Sequence, residues 1–440
     1  MSLKILSQPA SLLLSAGNNN YYTLSGTTYG GPNVFEYRYT ADVYVGGVYK
    51  VTLKSFPDPA TGFGVFNTIS VVDDFLSFDF IAPTSGTSAV VQNAPNTGSQ
   101  VYLQFGEEYI SGSTFTQTKN IVSGNTAVYV NMSLPFTTSI NLDTTIYYAV
   151  DDSGPFNQYL TGINRVSDMG EFIPGFIINL YTTEQVTPYF LSNSRFSPDQ
   201  FQNIVLTITC QNANGATIGA YTYTSPIQVS GATDVMALAL SFSNFAKLNA
   251  SNCVLDSGSF PIVTAAVDHI FIDLSTYSAG GATQQMEGIR LNLQTDCGRW
   301  ASSAYNITWL NEYGGFDSWY FNKKNQITSQ KNTQVYKKQQ GSLQSNGSFN
   351  INTYSRNTGI YFTEILDSIE MNTDFLQDTD VLFLKGLASS PVVYMTDQSG
   401  TVTNIVVENN SFVINRRVNQ KIYSFKMTVR PSYNDYRQLL

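Results

Sequence analysis

The alternation of side chains in residues 35–55 is the feature that most constrains the fold. From residue 35 to residue 45, every second side chain is apolar or aromatic and those between are mostly polar. A period of two places the two sets on opposite faces of a β-strand. Gly46 and Gly47 can supply the positive φ angles of a two-residue turn, and residues 48–54 return as a partner strand. The sequence therefore predicts a half-buried antiparallel hairpin that carries on its apolar face Phe35, Tyr37, Tyr39, Ala41, Val43 and Val45.

The residues after this hairpin predict the remainder of a first module. The segment PDPATG, residues 57–62, has two prolines in three residues, which excludes a central strand. Beyond it, Ile69, Val72 and then Phe75 or Leu76 recur at a spacing of three to four residues, which favours a short helix. We expect residues 1–115 to form an immunoglobulin-like β-sandwich with this helix laid across it.

Residues 116–290 mix strand-like runs with long loops rich in Gly, Asn and Ser. Residues 204–223 predict a second hairpin around an Asn-Gly turn. Residues 235–250 fit an amphipathic helix and an alternating strand equally well. Further strand-like runs follow at residues 268–274 and 288–296. We interpret this region as a second β-sandwich, so the predicted fold class is mainly β: serial antiparallel β-sandwich modules with one or two short helices.

The third module, residues 291–440, begins with a segment crowded with aromatic side chains, residues 301–324. Alternation up to Trp309, a turn around a Gly-Gly pair and alternation back to residue 321 predict a hairpin. We expect Trp309 to lie in a core, because an aromatic ring removes roughly 150–250 Å² from water. A carbohydrate-stacking platform is the alternative. The candidate interface or ligand contacts of the hairpin are Trp319, Tyr313 and Tyr320.

The residues that follow the aromatic hairpin are polar and carry five lysines: Lys323, Lys324, Lys331, Lys337 and Lys338. On a net acidic protein, such a run is more typical of a solvated loop or an edge strand than of a polyanion site.

Further on, Thr373 is the predicted N-cap of a helix of about 14 residues that ends near residues 386–390. Pro391 then forces extended backbone and a strand. A hairpin broken at residues 409–410 and a last strand at 421–429 complete the predicted module.

Composition argues against several classes of protein. Charged residues are 12% of the 440-residue chain, below the roughly 25% of typical soluble domains, and 32 acids outnumber 23 bases. A nucleic-acid-binding protein normally has a basic face, so we expect no nucleic-acid partner. Polar residues interrupt the apolar run near the N-terminus, and no segment reaches the roughly 18 apolar residues of a membrane helix. We therefore expect no secretion signal, no membrane insertion and synthesis in a cytoplasm.

Groups suited to metal, redox or catalytic chemistry are sparse. Cys210, Cys253 and Cys297 are far apart and form no CxxC pair, so reduced, buried thiols are the favoured interpretation over a disulfide or metal site. A Ser-His-acid triad would need His269, the single histidine, but the chain has no GxSxG elbow. We expect no enzyme, and no catalytic, cofactor-binding or metal-binding residue.

Adjacent carboxylates are the remaining catalytic candidates, because a glycosidase uses two carboxyl groups about 5 to 9 Å apart. Such pairs occur at residues 73–74 and 151–152, where helix-start or turn chemistry is the more ordinary explanation. The segment DDSG at 151–154, even with Asp317 elsewhere, lacks the alternating acids and final Glu of a calcium loop.

Both ends of the chain carry motifs of one known family. The third module has, in order, Cys297, Tyr305, Trp309-Leu310-Asn311, Gly314-Gly315, Asp317 and Phe321. A Tyr-Lys pair at 336–337, the run SSPVVYM and a terminal YSFKMTVRPSYNDYRQ follow, and the first module has ILSQPASLLLSAGNNNYYTLSG and GFGVFNTISVVDDFLSFDF. This combination resembles virion structural proteins of tailed bacteriophages of Bacteroidota. The resemblance does not cover the middle of the chain and identifies no site residues.

The resemblance implies assembly into a particle rather than catalysis. The leading hypothesis is a non-enzymatic tail or baseplate component of a phage virion, made in the bacterial host cytoplasm and present as a ring or multimer. Its partners would be copies of itself and other virion proteins. A fibre or adhesin protein that binds a receptor or a host surface glycan is the alternative, and a head-decoration or neck protein is a weaker one. Rigid, amphipathic tyrosine rings would serve either a protein interface or a glycan.

Overall fold

The fold of the chain is known from a computed structural model. It describes residues 3–9, 13–83, 86, 89–133, 158–159, 175–182, 184–192, 203–228, 234–277, 283–285, 288–294, 304–323, 325–373, 376, 378–408, 425–433 and 436–439. The predicted fold class is confirmed in its main point: the chain is mainly β, with several antiparallel sheets and a few short helices. No helix in the described ranges is both long and apolar enough to cross a bilayer.

The chain divides into two compact units. Unit 1 consists of Met1–Asp296 together with Leu310–Ser318, and unit 2 consists of Cys297–Trp309 together with Trp319–Leu440.

The N-terminal part of unit 1 is a β-sandwich. Its strands are β1 (Leu3–Ser7), β2 (Leu13–Ser15), β3 (Tyr21–Gly26), β4 (Val34–Val45), β5 (Val48–Ser55), β6 (Gly64–Asn67), β8 (Gly98–Ser111), β9 (Thr114–Ser123) and β10 (Ala127–Val130). Strand β7 (Val91–Asn93) lies in the same stretch of the chain but pairs with a strand of the second part of unit 1. One sheet has the order β1-β3-β6, and the other has the order β2-β10-β8-β4-β5 with β9 also paired to β8. Helix α1 (Ile69–Phe75) is the helix predicted from its apolar spacing. Side chains from both sheets and from α1 fill one core.

The hairpin of β4 and β5 is confirmed, with one correction. Gly46 and Gly47 form its turn with φ angles of 59° and 77°. Phe35, predicted on the apolar face, is 58% exposed, because a bulge at Glu36, which has a φ of 48°, shifts the register between Phe35 and Arg38. Beyond the bulge, β4 lies between β5 and β8, so Thr40 as well as the apolar residues is buried. The strand is thus more deeply buried than alternation predicts.

Two adjacent carboxylates of β8 are buried in this sandwich. Glu107 accepts hydrogen bonds from the Tyr37 hydroxyl (2.7 Å) and the Thr28 hydroxyl (2.8 Å). Burial, together with the neighbouring Glu107 carboxylate, raises the pKa of Tyr37. Glu108, on the opposite face of the strand, is paired with Lys54 at 2.9 Å and Arg38 at 3.5 Å. Each buried acid therefore has hydrogen-bond or charge partners, as burial requires.

The second part of unit 1 contains β11 (Gln158–Tyr159), β12 (Gly175–Tyr181), β13 (Gln185–Val186), β14 (Tyr189–Ser192), β15 (Asn203–Gln211), β16 (Thr217–Gln228), β17 (Asp234–Leu238), β18 (Leu240–Ser241), helix α2 (Phe242–Phe245), β19 (Cys253–Ser257), β20 (His269–Tyr277), β21 (Thr283–Gln285) and β22 (Gly288–Gln294). One sheet has the order β11-β14-β17-β7, and a larger one has the order β12-β22-β20-β15-β16-β19, with β21 on β20. Their facing side chains share a second core.

Several predictions for this region are resolved. The hairpin of β15 and β16 is confirmed around Asn214 and Gly215. The ambiguous segment at 235–250 is strand first and then one helical turn, with Ser241 capping α2 through its side chain. The predicted all-antiparallel pairing has exceptions, since β2 pairs in parallel with β10, and β12 with β22. The predicted module borders at 115 and 290 stay a prediction, although residue 115 lies inside β9 and residue 290 inside β22.

Unit 2 is built on one large antiparallel sheet. Its first two strands form the aromatic hairpin. Its elements are β23 (Tyr305–Leu310), β24 (Phe316–Phe321), β25 (Gln326–Lys337), β26 (Ser342–Leu343), β27 (Phe349–Asn350), β28 (Thr358–Asn372), α3 (Asp378–Ser389), β29 (Val393–Thr396), β30 (Val402–Val407), β31 (Lys426–Pro431) and β32 (Tyr436–Leu439). The sheet order is β24-β23-β29-β30-β31-β28-β25, with β32 also paired to β28. Helix α3 contributes Leu384 and Leu387 to its core.

The predicted N-cap of this helix is wrong. Helix α3 begins at Asp378, five residues after Thr373. The Thr373 hydroxyl instead accepts a hydrogen bond from the Phe425 amide (2.8 Å), so Thr373 closes β28 against β31. Its partner is distant in sequence, which is why local capping patterns mislead here. The predicted break at residues 409–410 lies outside the described residues.

The thiols of unit 1 give a testable expectation. Cys210 and Cys253 are free and buried, and burial raises the pKa of Cys210 to about 12 and that of Cys253 to about 11. Because the thiolate is the reactive form, both should resist a thiol reagent in the native protein at pH 8. Denaturation without reductant should then release three reactive thiols, Cys297 included, in a colorimetric thiol assay. A count of one would show that two of them had formed a disulfide.

Candidate interaction surface

The aromatic hairpin is present, and its first tryptophan is a core residue, as predicted. Trp309 is 0% exposed and packs with Ile307, Leu384 and other apolar side chains of unit 2. Its ring centroid lies 5.1 Å from that of Phe383. A carbohydrate cannot stack on a ring that is enclosed in this way, so the platform alternative does not apply to Trp309.

The predicted contact residues of the hairpin have different surroundings. Trp319 is partly exposed, and its ring lies against Phe383 with centroids 6.2 Å apart. Tyr320 is 8% exposed, which leaves it little surface for a partner. Tyr313, in the turn, is partly exposed. A ligand or interface role for these three residues stays a prediction.

The tip of the hairpin, Leu310–Ser318, belongs to unit 1. The Asn311 side-chain oxygen accepts hydrogen bonds from the Tyr313 and Gly315 backbone amides and so shapes the turn. Gly314 has a φ of 86°, and a Cβ there would lie 2.3 Å from the Asn131 carbonyl oxygen, so a larger residue is excluded. Phe316 is buried in an aromatic cluster of unit 1 that contains Phe78, Phe80 and Tyr189.

A different surface of unit 2 is much more exposed. Strands β25 and β28 pair in antiparallel register from Gln326 opposite Glu370 to Lys337 opposite Thr358. At roughly 3.4 Å per residue, this ribbon extends about 40 Å. Only the Ile369 and Met371 end of β28 reaches the unit 2 core. We call residues 326–372 the arm and residues 331–361 the distal arm.

The distal arm exposes apolar side chains on both faces. Val335 and Ile360 are directly opposite each other, so they share one face of the ribbon. Tyr336 lies on the other face, and its ring is 6.3 Å from that of Tyr361. The exposed apolar residues of the distal arm are Val335, Tyr336, Leu343, Phe349, Ile351, Tyr354, Ile360 and Tyr361. Leu343 at 72% and Tyr354 at 80% are the most exposed of these. A ribbon that is apolar on both faces is suited to insertion between other surfaces.

The backbone and charges of the arm are also accessible. Strand β25 is the last strand of its sheet, so one of its edges has no neighbouring strand among the described residues. Such an edge is a ready template for another chain. The distal arm carries Lys331, Lys337, Lys338 and Arg356 and no Asp or Glu. The sequence-based expectation of lysines along an exposed edge strand is thus met for Lys331 and Lys337, whereas Lys324 lies outside the described residues.

The groups of residues considered for catalysis come from separate parts of the sequence. Asp268 contacts His269 at 3.2 Å, at the start of β20. Asp73 and Asp74 are exposed in α1, Asp317 is buried in the hairpin tip, and residues 151–154 lie outside the described ranges. Asp73 and Asp74 lie in the last turn of α1, not at its start as helix-start chemistry would require. Within the described residues, no group of three or more His, Cys, Asp or Glu side chains could hold a metal ion.

No family model and no curated protein matches the chain. Solved structures similar to it include fibronectin(III)-like modules of CbhA from Clostridium thermocellum, with 7% identity, a TM-score of 0.14, and coverage of 67% of this chain and 95% of that one. Extracellular domains 3–5 of Drosophila OTK have 8% identity and a TM-score of 0.18, covering 84% and 91%. The sialic acid binding region of a Streptococcus sanguinis SK1 adhesin has 9% identity and a TM-score of 0.14, covering 68% and 80%. Likeness at this level carries no conclusion about function.

The burial of Trp309 leads to the first prediction for unit 2. Trp309→Ala should lower its free energy of unfolding by about 3–5 kcal/mol, because it empties a large buried aromatic site. Trp319→Ala, which removes a partly exposed ring of the same hairpin, is the matched control and should cost less. Calorimetry of the full chain would measure both. Equal unfolding temperatures for Trp309→Ala and the parent would show that the ring is not a core element.

The exposure of the arm leads to a second prediction. Because Lys337 and Thr358 are a register pair, residues 338–357 can be replaced by an Asn-Gly turn that joins them. The removed segment buries little apolar surface, so the shortened protein should unfold at nearly the temperature of the parent. Circular dichroism melts of the two proteins would measure this. A large loss of stability would show that the tip packs on the body of the protein.

Proposed function

We propose that this chain is a non-enzymatic structural protein of a tailed-phage particle, a tail or baseplate component that assembles as a ring or multimer. The observation that carries the proposal is the distal arm, which is long, apolar on both faces and exposed. The motifs at the two ends of the chain, which resemble those of phage virion proteins, support the same assignment.

The arm favours assembly because exposed apolar surface is limited in proteins that act alone. Patches beyond a few hundred Å² usually mark an interaction site. The distal arm collects tyrosine, phenylalanine and branched aliphatic side chains next to basic residues and an open strand edge. Aromatic residues are enriched at protein interfaces relative to the rest of the protein surface. A partner protein that covers the arm accounts for all three features.

A receptor- or glycan-binding fibre protein is the second candidate, and one observation favours it. Tyr354 is 80% exposed, and its hydroxyl accepts a 2.8 Å hydrogen bond from the Asn352 amide. An exposed ring beside an oriented amide offers a sugar both a stacking face and polar contacts. The other apolar residues of the distal arm have no comparable role in this alternative, which is why we rank it second.

The proposed function predicts where the protein is found. Quantitative mass spectrometry of purified phage particles should detect it in several copies per particle, with the major capsid protein of the same sample as the internal standard. A reconstruction of the particle should locate those copies around the tail axis. A peripheral position with cell-binding activity would favour the fibre candidate, and absence from purified particles would rule out a virion protein.

A further inference from the structure

The formal charges of the two units have opposite signs. Unit 1 has 9 Lys and Arg against 23 Asp and Glu, a net charge of −14. Unit 2 has 14 against 9, a net charge of +5, and together the two give the −9 of the whole chain. Opposite net charges favour association of one unit with the other unit of a second copy in a fixed orientation.

The positive charge of unit 2 is placed where it is accessible. Four of its basic residues lie on the distal arm, which has no acid to balance them. Lys337 and Lys338 follow directly on Tyr336, and all three side chains are exposed. This segment therefore exposes an aromatic ring and two ammonium groups, with Tyr336 and Lys337 on opposite faces of the strand.

Unit 1 presents a complementary segment at the end of α1. Asp73, Asp74 and Phe75 are consecutive and exposed, so the end of the helix carries two carboxylates and an aromatic ring. The segment is in the last turn of the helix, where the helix dipole disfavours acids, and no basic residue is present in that turn. Local helix stability therefore does not explain these acids. Lys50 lies over the Phe75 ring at 5.2 Å, in a cation–π contact within the same copy.

We propose that the distal arm of one copy docks on the Asp73–Phe75 segment of unit 1 of a second copy. This inference rests on the proposed function, because it specifies how the structural protein contacts itself. Lys337 and Lys338 pair with Asp73 and Asp74, while the apolar faces of the arm cover Phe75 and its surroundings. The contact is head-to-tail, since an arm meets a unit 1 surface rather than another arm. Repetition of such a contact gives a closed ring or an open filament.

Charge reversal tests the contact in the full-length protein. Lys337→Glu with Lys338→Glu should weaken self-association by about a hundredfold or more, because attractive pairs become repulsive ones. Asp73→Lys with Asp74→Lys should do the same while leaving α1 intact, because lysines suit the end of a helix. Sedimentation velocity over a concentration series would measure association, and high salt should weaken that of the parent.

A combined variant and a matched control complete the design. The variant carrying all four changes should associate again, since the charges are exchanged and not removed. Lys4→Glu with Lys385→Glu has the same net charge as the arm variant, changes exposed residues outside both segments and should associate like the parent. Circular dichroism would check that every variant is folded.

The outcomes separate the inference from the proposed function. Three results would each overturn the docking contact. They are a parent protein that stays monomeric at all concentrations, an arm variant that associates normally, and a quadruple variant that stays monomeric. Binding of the parent to heparin without self-association would indicate a polyanion partner and would also overturn it. In each case the copy number in purified particles would still report independently on the virion assignment.

Discussion

Hydrogen bonds from buried tyrosine hydroxyl groups to loop backbone connect the cores of unit 1 to its loops. A buried tyrosine contributes a large apolar ring, but its hydroxyl must find a partner away from water. Tyr39, which is fully buried, donates to the Gly62 carbonyl (2.7 Å) and accepts from the Gly26 amide (3.1 Å). Tyr189 and Tyr221 donate in the same way to the backbone of Asp79 and Ser259. The loops at the ends of these sheets are thus positioned by the cores beneath them.

The sequence predicts local elements of this fold well where the partner is near in the chain. The hairpins with Gly-Gly and Asn-Gly turns, the helix α1 and the burial of Trp309 follow from period, turn residues and ring size. Prediction fails where a distant contact decides. Phe35 is exposed because of a bulge at Glu36 that alternation cannot show, and Thr373 bonds Phe425 instead of capping a helix. Strand β32 was not predicted, because it forms only against β28.

The candidate surface shows the same limit. A lysine-rich polar run indicates an exposed strand, but it does not reveal that the strand is paired over 12 residues or that Val335 and Ile360 share a face. Individually these are unremarkable apolar residues in a polar segment. Only the register brings them together, and only the division into units reveals that a net charge of −9 consists of −14 and +5.

The pairing of β12 with β22 sets an order for folding during synthesis. Gly175 lies opposite Gly288 in a parallel pair, so the seven-stranded sheet is incomplete until its last strand leaves the ribosome. Among the described residues, the first core has no member beyond Tyr129. At about 5–20 residues per second, roughly 8–33 s separate the two events. During that interval a folded first sandwich is followed by a half-built sheet with open edges. The nascent chain is then most exposed to aggregation, and its yield should depend on chaperones and growth temperature more than on the stability of the finished protein.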